Sequence, residues 1–442
     1  MVSRQAERDT ATDKQAPGDP PNPPAPRLGP RPLPLHLMAA GLAWAASKSA
    51  LPLWSSGSFP WRGPWKEDLA ERAERLRNEL GQSPSGADLA VFARAVDAEV
   101  SRRLRDLAAG IDAYRHHPYR RDLADPPAIW QEGSCRLLDY GALPEAVAGG
   151  PTVLVVPSLI NRAYVLDLTA ERSLLRWLAR QGVRPLLLDW GHPGAEERGF
   201  TLTDYIAGRL ARALDAVRAA DRTQKPVVLG YCMGGLLALG LALRRRDDLA
   251  GLVALATPWD FHAENAPHSR MAAASLPLVA PLLEASGEMP VDLLQALFAG
   301  LDPHLVVRKF LAFGRLDPAS AKARDFVALE DWLNDGVPLA AAVARECLGR
   351  WYGENATARG QWRLAGAAVD PRRLDLPTLC VIPAQDRIVP PASAAALADA
   401  IPGAARATPP AGHIGMVVSA RAENAVWRPL LSWITAHAAP GA

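Results

Sequence analysis

The chain has 442 residues, of which 49% are hydrophobic and 22% charged, and its formal net charge at pH 7 is +2. This length can bury one large core or two smaller ones, and the nearly neutral charge gives no indication of a nucleic-acid partner. The charged N-terminus is unlike a signal peptide, and no apolar run reaches the roughly 18 to 20 residues that span a bilayer. Four widely separated cysteines without a CxxC pair indicate neither a metal site nor a disulfide framework, and they predict a reducing, cytoplasmic setting: Cys135, Cys232, Cys347 and Cys380.

The first 129 residues divide into a tail and a helical region. Residues 1–32 are polar and rich in proline, which predicts a disordered tail. Residues 35–54 form an apolar segment that either docks on the protein's own core or lies on another apolar surface. Apolar residues at helical spacing between 65 and 111, interrupted at 81–85, predict two surface helices. We therefore expect a small helical N-terminal region over 33–129.

From about residue 130 strand and helix patterns alternate. Strands are predicted at 152–156, 184–189, 227–231, 249–256 and 377–383, with helices between them and a last helix at 423–436. Dense alternation of this kind predicts a mostly parallel sheet flanked by helices, and the strand pattern is absent only between about 262 and 368. We expect a catalytic domain over 130–442 with a helical cap inserted at 262–368.

The strand at 227–231 runs directly into Gly230-Tyr-Cys-Met-Gly234 and then into a helical sequence. Small residues two before and two after a nucleophile allow the tight strand-to-helix turn called a nucleophile elbow, here with Cys232 in place of serine. The helix N-terminus and a nearby histidine would both favour the reactive thiolate. Alternatively, the same pattern could be a buried cysteine with no catalytic role beside a tight turn.

Two later residues complete a catalytic triad in the order nucleophile, acid, histidine. Asp386 follows the strand at 377–383, and His413 lies between two glycines ahead of the last helix. This order is typical of the α/β-hydrolase fold. His413 would move the proton of the thiol, Asp386 would orient the imidazole, and the backbone N–H groups of Met233 and of Leu159 or Ile160 would form the oxyanion hole.

Three other residues near the strand ends have alternative readings. Asp260 follows the strand after the elbow, where some hydrolases carry their acid, and it is the second choice for that role. Asp189 is predicted to form a turn rather than to act as an acid. His192 is predicted to be a structural loop residue that could also line the entrance of the site.

The sequence resembles the polyhydroxyalkanoate synthases over residues from about 130 to the C-terminus. The resemblance rests on the cysteine elbow, on Asp386 and His413 in their contexts, and on three further segments: 155–168 with its Ile160-Asn161 pair, 257–261, and the cap motif Leu329-Glu-Asp-Trp-Leu-Asn-Asp-Gly336 with 351–355 after it. The chain departs from the family at Pro157-Ser158, where a proline pair is usual, and at Ala411 in place of a glycine.

The resemblance implies polymerisation of (R)-3-hydroxyacyl-CoA thioesters into polyester with release of CoA. It implies no cofactor, since the CoA thioester is the substrate, and it makes Asn161, Tyr231, Trp259 and Asp260 candidates for substrate binding. It also implies work at the surface of polymer granules and a homodimer, with an accessory subunit left open. An acyl group on cysteine remains a thioester, so loading from CoA is close to isoenergetic, and the cap would shield it from water.

Two other functions compete with this one. The same triad could pass the acyl group to water, as in an acyl-CoA thioesterase or an intracellular polyhydroxyalkanoate depolymerase. Alternatively, the chain could be a non-catalytic granule-binding protein that uses residues 35–54 as an anchor. The cap motif favours the synthase over the hydrolases, and the intact set of Cys232, Asp386 and His413 argues against the binding protein.

Overall fold

A computed structural model describes residues 27–49, 86–264 and 266–438, together with the isolated positions 53, 71, 72, 74, 75 and 78. Most of the predicted disordered tail and the first of the two predicted surface helices lie outside these ranges. No helix within them is long and apolar enough to cross a membrane.

Among the described residues, eight strands form one sheet in the order β1-β2-β4-β3-β5-β6-β11-β12, and four very short strands form two separate pairs, β7-β8 and β9-β10. All neighbours from β4 to β12 in that order are parallel, as predicted, and β3, β5 and β6 are buried along their whole length because helices cover both faces. The strands are β1 Ala128–Glu132, β2 Cys135–Asp139, β3 Thr152–Val156, β4 Arg184–Asp189, β5 Val227–Tyr231, β6 Gly251–Leu255, β7 Glu288–Met289, β8 Leu339–Ala340, β9 Arg363–Leu364, β10 Ala367–Ala368, β11 Thr378–Val381 and β12 Ala405–Ala407.

The first two strands were not predicted from the sequence. They form an antiparallel hairpin at the edge of the sheet, with Glu132 paired to Cys135 across a two-residue loop. Gly133 in that loop has φ of +55°, a backbone conformation that glycine adopts without strain. The Gly-Ser pair of this loop is the local pattern that could have indicated the hairpin, whereas the outer strand is largely exposed and has only three apolar residues.

Helices pack on both faces of the sheet, which confirms the predicted α/β-hydrolase fold class. One face is covered chiefly by α4, α5 and α12, and the other by α3 and α14. The helices are α1 Leu33–Ser49, α2 Gly86–Arg115, α3 Leu174–Arg180, α4 Ala211–Ala220, α5 Met233–Arg244, α6 Ala266–Ala274, α7 Leu276–Ser286, α8 Val291–Ala299, α9 Leu305–Phe313, α10 Ala321–Asn334, α11 Ala341–Arg345, α12 Pro391–Ala400, α13 Gly415–Val418 and α14 Arg428–Ala438, and π-helical turns at Asp204–Leu210, Glu346–Gly353 and Glu423–Trp427 adjoin α4, α11 and α14.

Helices α6 to α11 all lie between β6 and β11, above the carboxyl ends of the parallel strands. Their inner side chains join the same core as the sheet, among them Leu283, Leu294 and Ala344. The cap is therefore packed on the catalytic sheet through a continuous apolar core.

The N-terminal helices pack against the cap rather than against the sheet. Helix α2 contributes Leu107 and Tyr114 to a small core that also contains Phe310 of α9 and Val327 of α10. Helix α1 buries Ala40 in this core but leaves Leu42 and other apolar side chains exposed. The apolar segment predicted at 35–54 is thus docked on the protein along one face over the part that the structure describes.

Candidate active site

Cys232 lies on a sharp turn between β5 and α5. Its backbone has φ of 56° and ψ of −126°, a conformation that L-residues rarely adopt, and its half-buried side chain lines a cavity. The turn depends on three glycines that lie very close to other atoms, two of them to backbone oxygens and one to a side chain. A Cβ atom added at Gly230 would lie 2.4 Å from the Gly234 carbonyl oxygen, one at Gly234 would lie 2.1 Å from the Val156 oxygen, and one at Gly235 would lie 1.8 Å from Thr257 Oγ1.

His413 is held by Asp386 beside this cysteine. The distance from His413 Nδ1 to Asp386 Oδ2 is 2.6 Å, and both side chains are almost completely buried. The other carboxylate oxygen, Oδ1, accepts hydrogen bonds from the backbone N–H groups of Ile388 and Val389 at 2.8 and 2.9 Å. Asp386 is therefore fixed by its own loop and presents one free oxygen to the imidazole.

The surroundings of His413 favour its charged form. Burial lowers the pKa of the imidazole, but the charges of Cys232 and Asp386 and their hydrogen bonds to the ring outweigh burial and raise the pKa to about 10. By contrast, burial raises the pKa of the other three thiols above their usual value, to about 11 at Cys135, to about 12 at Cys380, and well above the usual value at Cys347. Cys232 thus differs from these three buried thiols in its hydrogen bond with His413.

A cavity of about 210 Å³ opens over Cys232 and His413. The sheet loops form one wall, and the cap helices form the other with mainly apolar side chains, including Leu294, Phe298 and Trp332. An apolar cavity with a few polar groups is typical of a site that takes an acyl chain or a similar small molecule. Within the part of the chain that the structure describes, no group of three or more acidic, histidine or cysteine residues is placed to hold a metal ion.

The loop after β3 brings Ile160 and Asn161 to this cavity, as the sequence predicted. The register pairs Val156 with Gly230, so the two loops that follow these strands are neighbours. Asn161 has φ of +66°, and its Oδ1 accepts a hydrogen bond from Gln295 Nε2 at 3.3 Å. The N–H group of Ile160, proposed for the oxyanion hole, donates instead to Ser158 Oγ at 3.0 Å.

Met233 is the first residue of α5 and also lines the cavity. The first backbone N–H groups of a helix have no partner within the helix, and they point out of its N-terminal end, where they can bind a negatively charged group. In the present state the backbone donor of Met233 is therefore better placed for an oxyanion than that of Ile160, whose donor is directed at Ser158 Oγ.

The predicted substrate-binding residues do not all reach the cavity. Tyr231 lines it, but its hydroxyl donates to the His413 carbonyl oxygen at 3.1 Å, so it also holds the histidine loop. Asp260 lines it as well, while its Oδ1 accepts hydrogen bonds from His262, Ala263 and Asn355. Trp259 does not line the cavity, and its buried side chain belongs to the core that includes the sheet.

The alternative acids have other partners. Asp189 Oδ1 accepts from Gly191 N at 3.1 Å and its Oδ2 pairs with Arg136 at 2.8 Å, which agrees with the predicted turn. His192 contacts only the neighbouring Pro193 carbonyl oxygen among the hydrogen bonds within the described ranges, and it is not part of the cavity wall. The structure therefore brings Asp386, and neither of the other acids, to His413.

Sequence reasoning missed the residues that the cap contributes to the cavity. Trp332 and Leu333 lie in the cap motif 329–336, which the resemblance singled out without giving it a place in the site. Gln295 had no pattern that distinguished it from ordinary polar residues, and Ser158 stood out only as a departure from the usual proline pair. Their contribution depends on how distant segments meet, which no local spacing encodes.

Comparison with known proteins agrees with the fold and indicates a family. The family described as alpha/beta hydrolase fold matches residues 151–420, and the family described as Poly-beta-hydroxybutyrate polymerase (PhaC) N-terminus matches residues 122–178.

Three similar proteins each bear the name Poly(3-hydroxyalkanoate) polymerase subunit PhaC. The one from Synechocystis is 31% identical over 70% of this chain and 83% of its own length. The one from Allochromatium vinosum is 30% identical over 70% of this chain and 87% of its own length. The one from Haloferax mediterranei is 29% identical over 71% of this chain, and the match spans 64% of that protein.

Proposed function

The chain belongs to the poly(3-hydroxyalkanoate) polymerase (PhaC) family within the α/β-hydrolase fold, and we propose that it polymerises (R)-3-hydroxyacyl-CoA thioesters with release of CoA. The observation that carries the proposal is the thiol of Cys232, placed at the elbow beside a histidine that a buried carboxylate orients. A thiol in this position forms a thioester, which conserves the energy of the CoA substrate for transfer to a hydroxyl group.

The loading step transfers the acyl group from CoA to the protein. The sulfur of Cys232 attacks the thioester carbonyl carbon, and the charge that develops on the carbonyl oxygen is stabilised by backbone N–H donors, with Met233 first among them. The bond to the CoA sulfur then breaks, and His413 gives to that leaving thiolate the proton that it took from the Cys232 thiol. Asp386 keeps the imidazole oriented and stabilises its positive form throughout.

The elongation step uses the same residues to move the acyl group from Cys232 to a hydroxyl group. His413 removes the proton of a 3-hydroxyl group on another unit, and the resulting oxygen nucleophile attacks the acyl group on Cys232. The carbon–sulfur bond breaks, an ester forms, and the thiol regains its proton from His413. The apolar cap wall around Trp332 and Phe298 supports this outcome, because limited access of water leaves the hydroxyl as the favoured acceptor.

The partners predicted from the resemblance stay predictions. They comprise attachment to the polymer granule, a homodimer and a possible accessory subunit, and the cytoplasmic location predicted from the cysteines is likewise still a prediction. Helix α1 exposes the apolar side chains of Leu37, Met38 and Leu42, which would suit contact with an apolar polymer.

One assay separates synthesis from hydrolysis. Purified protein is incubated with 3-hydroxybutyryl-CoA, and free CoA, free 3-hydroxybutyrate and insoluble polyester are measured together. The proposal predicts CoA release with polyester and little free acid. CoA release with an equal amount of free acid would replace it by a thioesterase, and clearing of a polymer film without CoA release would replace it by a depolymerase. A Cys232→Ala protein serves as the control and should release no CoA above background.

A further inference from the structure

The last turn of α10, residues 331–334, has two faces with different contacts. On its inner face Trp332 and Leu333 line the cavity. Trp332 Nε1 donates to the Arg162 carbonyl oxygen at 2.7 Å, and the Leu333 carbonyl oxygen accepts from Gln295 Nε2 at 2.9 Å. Because Arg162 follows Asn161 in the loop after β3, this turn joins the cap wall to the loop beside the elbow.

On its outer face the same turn is bound by the N-terminal segment 27–31. Arg27 and Asp331 form a bidentate pair, with Nε 2.6 Å from Oδ1 and Nη2 3.1 Å from Oδ2. The backbone N–H group of Arg31 donates to Asn334 Oδ1 at 2.8 Å. A planar, two-bond contact of this kind fixes orientation as well as distance.

Arg27 also ties in the end of α2. Its Nη1 donates to the carbonyl oxygens of Tyr114 and His117 at 3.4 and 2.6 Å, and its Nη2 donates to that of Tyr119. With the two bonds to Asp331, all five N–H groups of the guanidinium therefore have an acceptor. The side chain is only 6% exposed and lies 5.4 Å from the centre of the Tyr114 ring.

The Tyr114 hydroxyl completes the group by donating to Asp331 Oδ1 at 2.9 Å. A buried arginine whose donors are all satisfied differs from a surface ion pair, which contributes little to structure. Removal of the Arg27 side chain would take two hydrogen bonds from Asp331, which lies next to the cavity wall. The sequence motif at 329–336 thus has acidic and amide groups facing outward and apolar groups facing the cavity.

We propose that Arg27 is a positioning residue for the reaction cavity: it fixes the last turn of α10, and through that turn it places the Trp332–Leu333 wall and the Asn161–Arg162 loop. The N-terminal segment then shapes the substrate cavity indirectly, through its hydrogen bonds to Asp331 and Asn334, which do not themselves line the cavity. This role stands on the cavity itself, and only its kinetic consequence depends on the proposed function.

The test compares full-length protein with three variants. Arg27→Gln removes the charge and the bidentate pair, and Arg27→Lys keeps the charge but offers a single donor group in place of the planar fork. Arg102→Gln is the control, because Arg102 forms exposed ion pairs with Glu99 and Asp106 on the same N-terminal region. Hydrogen exchange of peptides that cover 329–335 and 159–164 is measured for each, together with KM and kcat for 3-hydroxybutyryl-CoA.

Arg27→Gln is expected to accelerate exchange in both peptides by about 2- to 30-fold and to raise KM by a similar factor with a smaller change in kcat. Arg27→Lys should give an intermediate effect, and Arg102→Gln should match the parent protein. Faster exchange confined to 27–31 and α2, with KM unchanged, would overturn the proposal. So would a uniform acceleration across the sheet, since that would show only a loss of overall stability. If even the parent protein releases no CoA, the proposed function fails while the exchange result still decides this inference.

Discussion

The two walls of the cavity are held by different kinds of contact. On the sheet side, Cys232, Asp386 and His413 follow the carboxyl ends of parallel strands, whose backbone pairing sets their spacing. On the cap side, Trp332 and Leu333 depend on side-chain bonds from α10 to segments far away in sequence, and Arg27 and Asp331 are 304 residues apart. The reacting groups therefore depend on the register of the sheet, whereas the shape of the space around them depends on a few long-range contacts. Substitutions on the two sides should differ accordingly.

The largest effect is expected on the sheet side from His413→Gln. The substitution removes the group that moves protons in both steps, so CoA release should fall roughly 10²- to 10⁴-fold with little change in KM. His437→Gln is the matched control, because His437 is exposed near the end of α14. Turnover of 3-hydroxybutyryl-CoA is the measurement. Activity like that of the control would contradict the account.

The same histidine should make stability depend on pH. The pKa of His413 is raised from 6.5 to about 10 in the folded protein, so its contribution to stability is fully present below pH 6.5 and is lost as pH rises through about 10. We therefore expect the difference in unfolding free energy between the parent protein and His413→Gln to shrink between these pH values. Denaturant midpoints across that range measure it. A difference that stays constant with pH would refute the raised pKa.

The next effect concerns the elbow itself. A Cβ atom at Gly234 would lie 2.1 Å from the Val156 oxygen, and neither backbone can move without disturbing the pairing of β3 with β5. Gly234→Ala should lower the unfolding free energy by about 1–3 kcal/mol and reduce turnover. Gly199→Ala, where a Cβ atom would meet nothing within 4 Å, is the control. Equal stability of the two variants would show that the elbow is not sterically constrained.

The smallest effect is expected on the cap side from Trp332→Phe. The change keeps an aromatic ring in the wall but removes the donor to the Arg162 oxygen. Loss of this hydrogen bond should lower the unfolding free energy by about 0.5–1.5 kcal/mol. KM should rise while kcat stays close to the parent value, because no reacting group is changed. Steady-state kinetics with 3-hydroxybutyryl-CoA measure the split. A fall in kcat as large as that of His413→Gln would erase the distinction between the two walls.

Much of the sheet side could be predicted from the sequence because its patterns are local. The buried strands are continuous apolar runs, the elbow requires small residues at fixed positions, and Asp386 and His413 follow strands in the expected order. The sequence was less informative about the loop after β3, which was predicted to supply one donor of the oxyanion hole. The hydrogen bond from Ile160 N–H to Ser158 Oγ depends on a loop conformation that the sequence does not specify.

The remainder depends on contacts between distant segments. Trp259 is adjacent to the cavity residues Pro258 and Asp260, yet its side chain points into the core, and sequence proximity alone could not indicate that direction. The cap motif was recognised, but its outward groups have a role only when the N-terminal segment is seen beside them. The edge hairpin was missed because its outer strand is mostly exposed and its apolar stretch is only three residues long.

The most direct test is the mass of the protein after brief mixing with 3-hydroxybutyryl-CoA and quenching. The account predicts an increase equal to one or more hydroxybutyryl units, located on the peptide that contains Cys232 and absent from Cys232→Ala. Selectivity is expected because the other thiols are buried and have raised pKa values. An acyl group on any other residue, or one that persists in Cys232→Ala, would contradict the account.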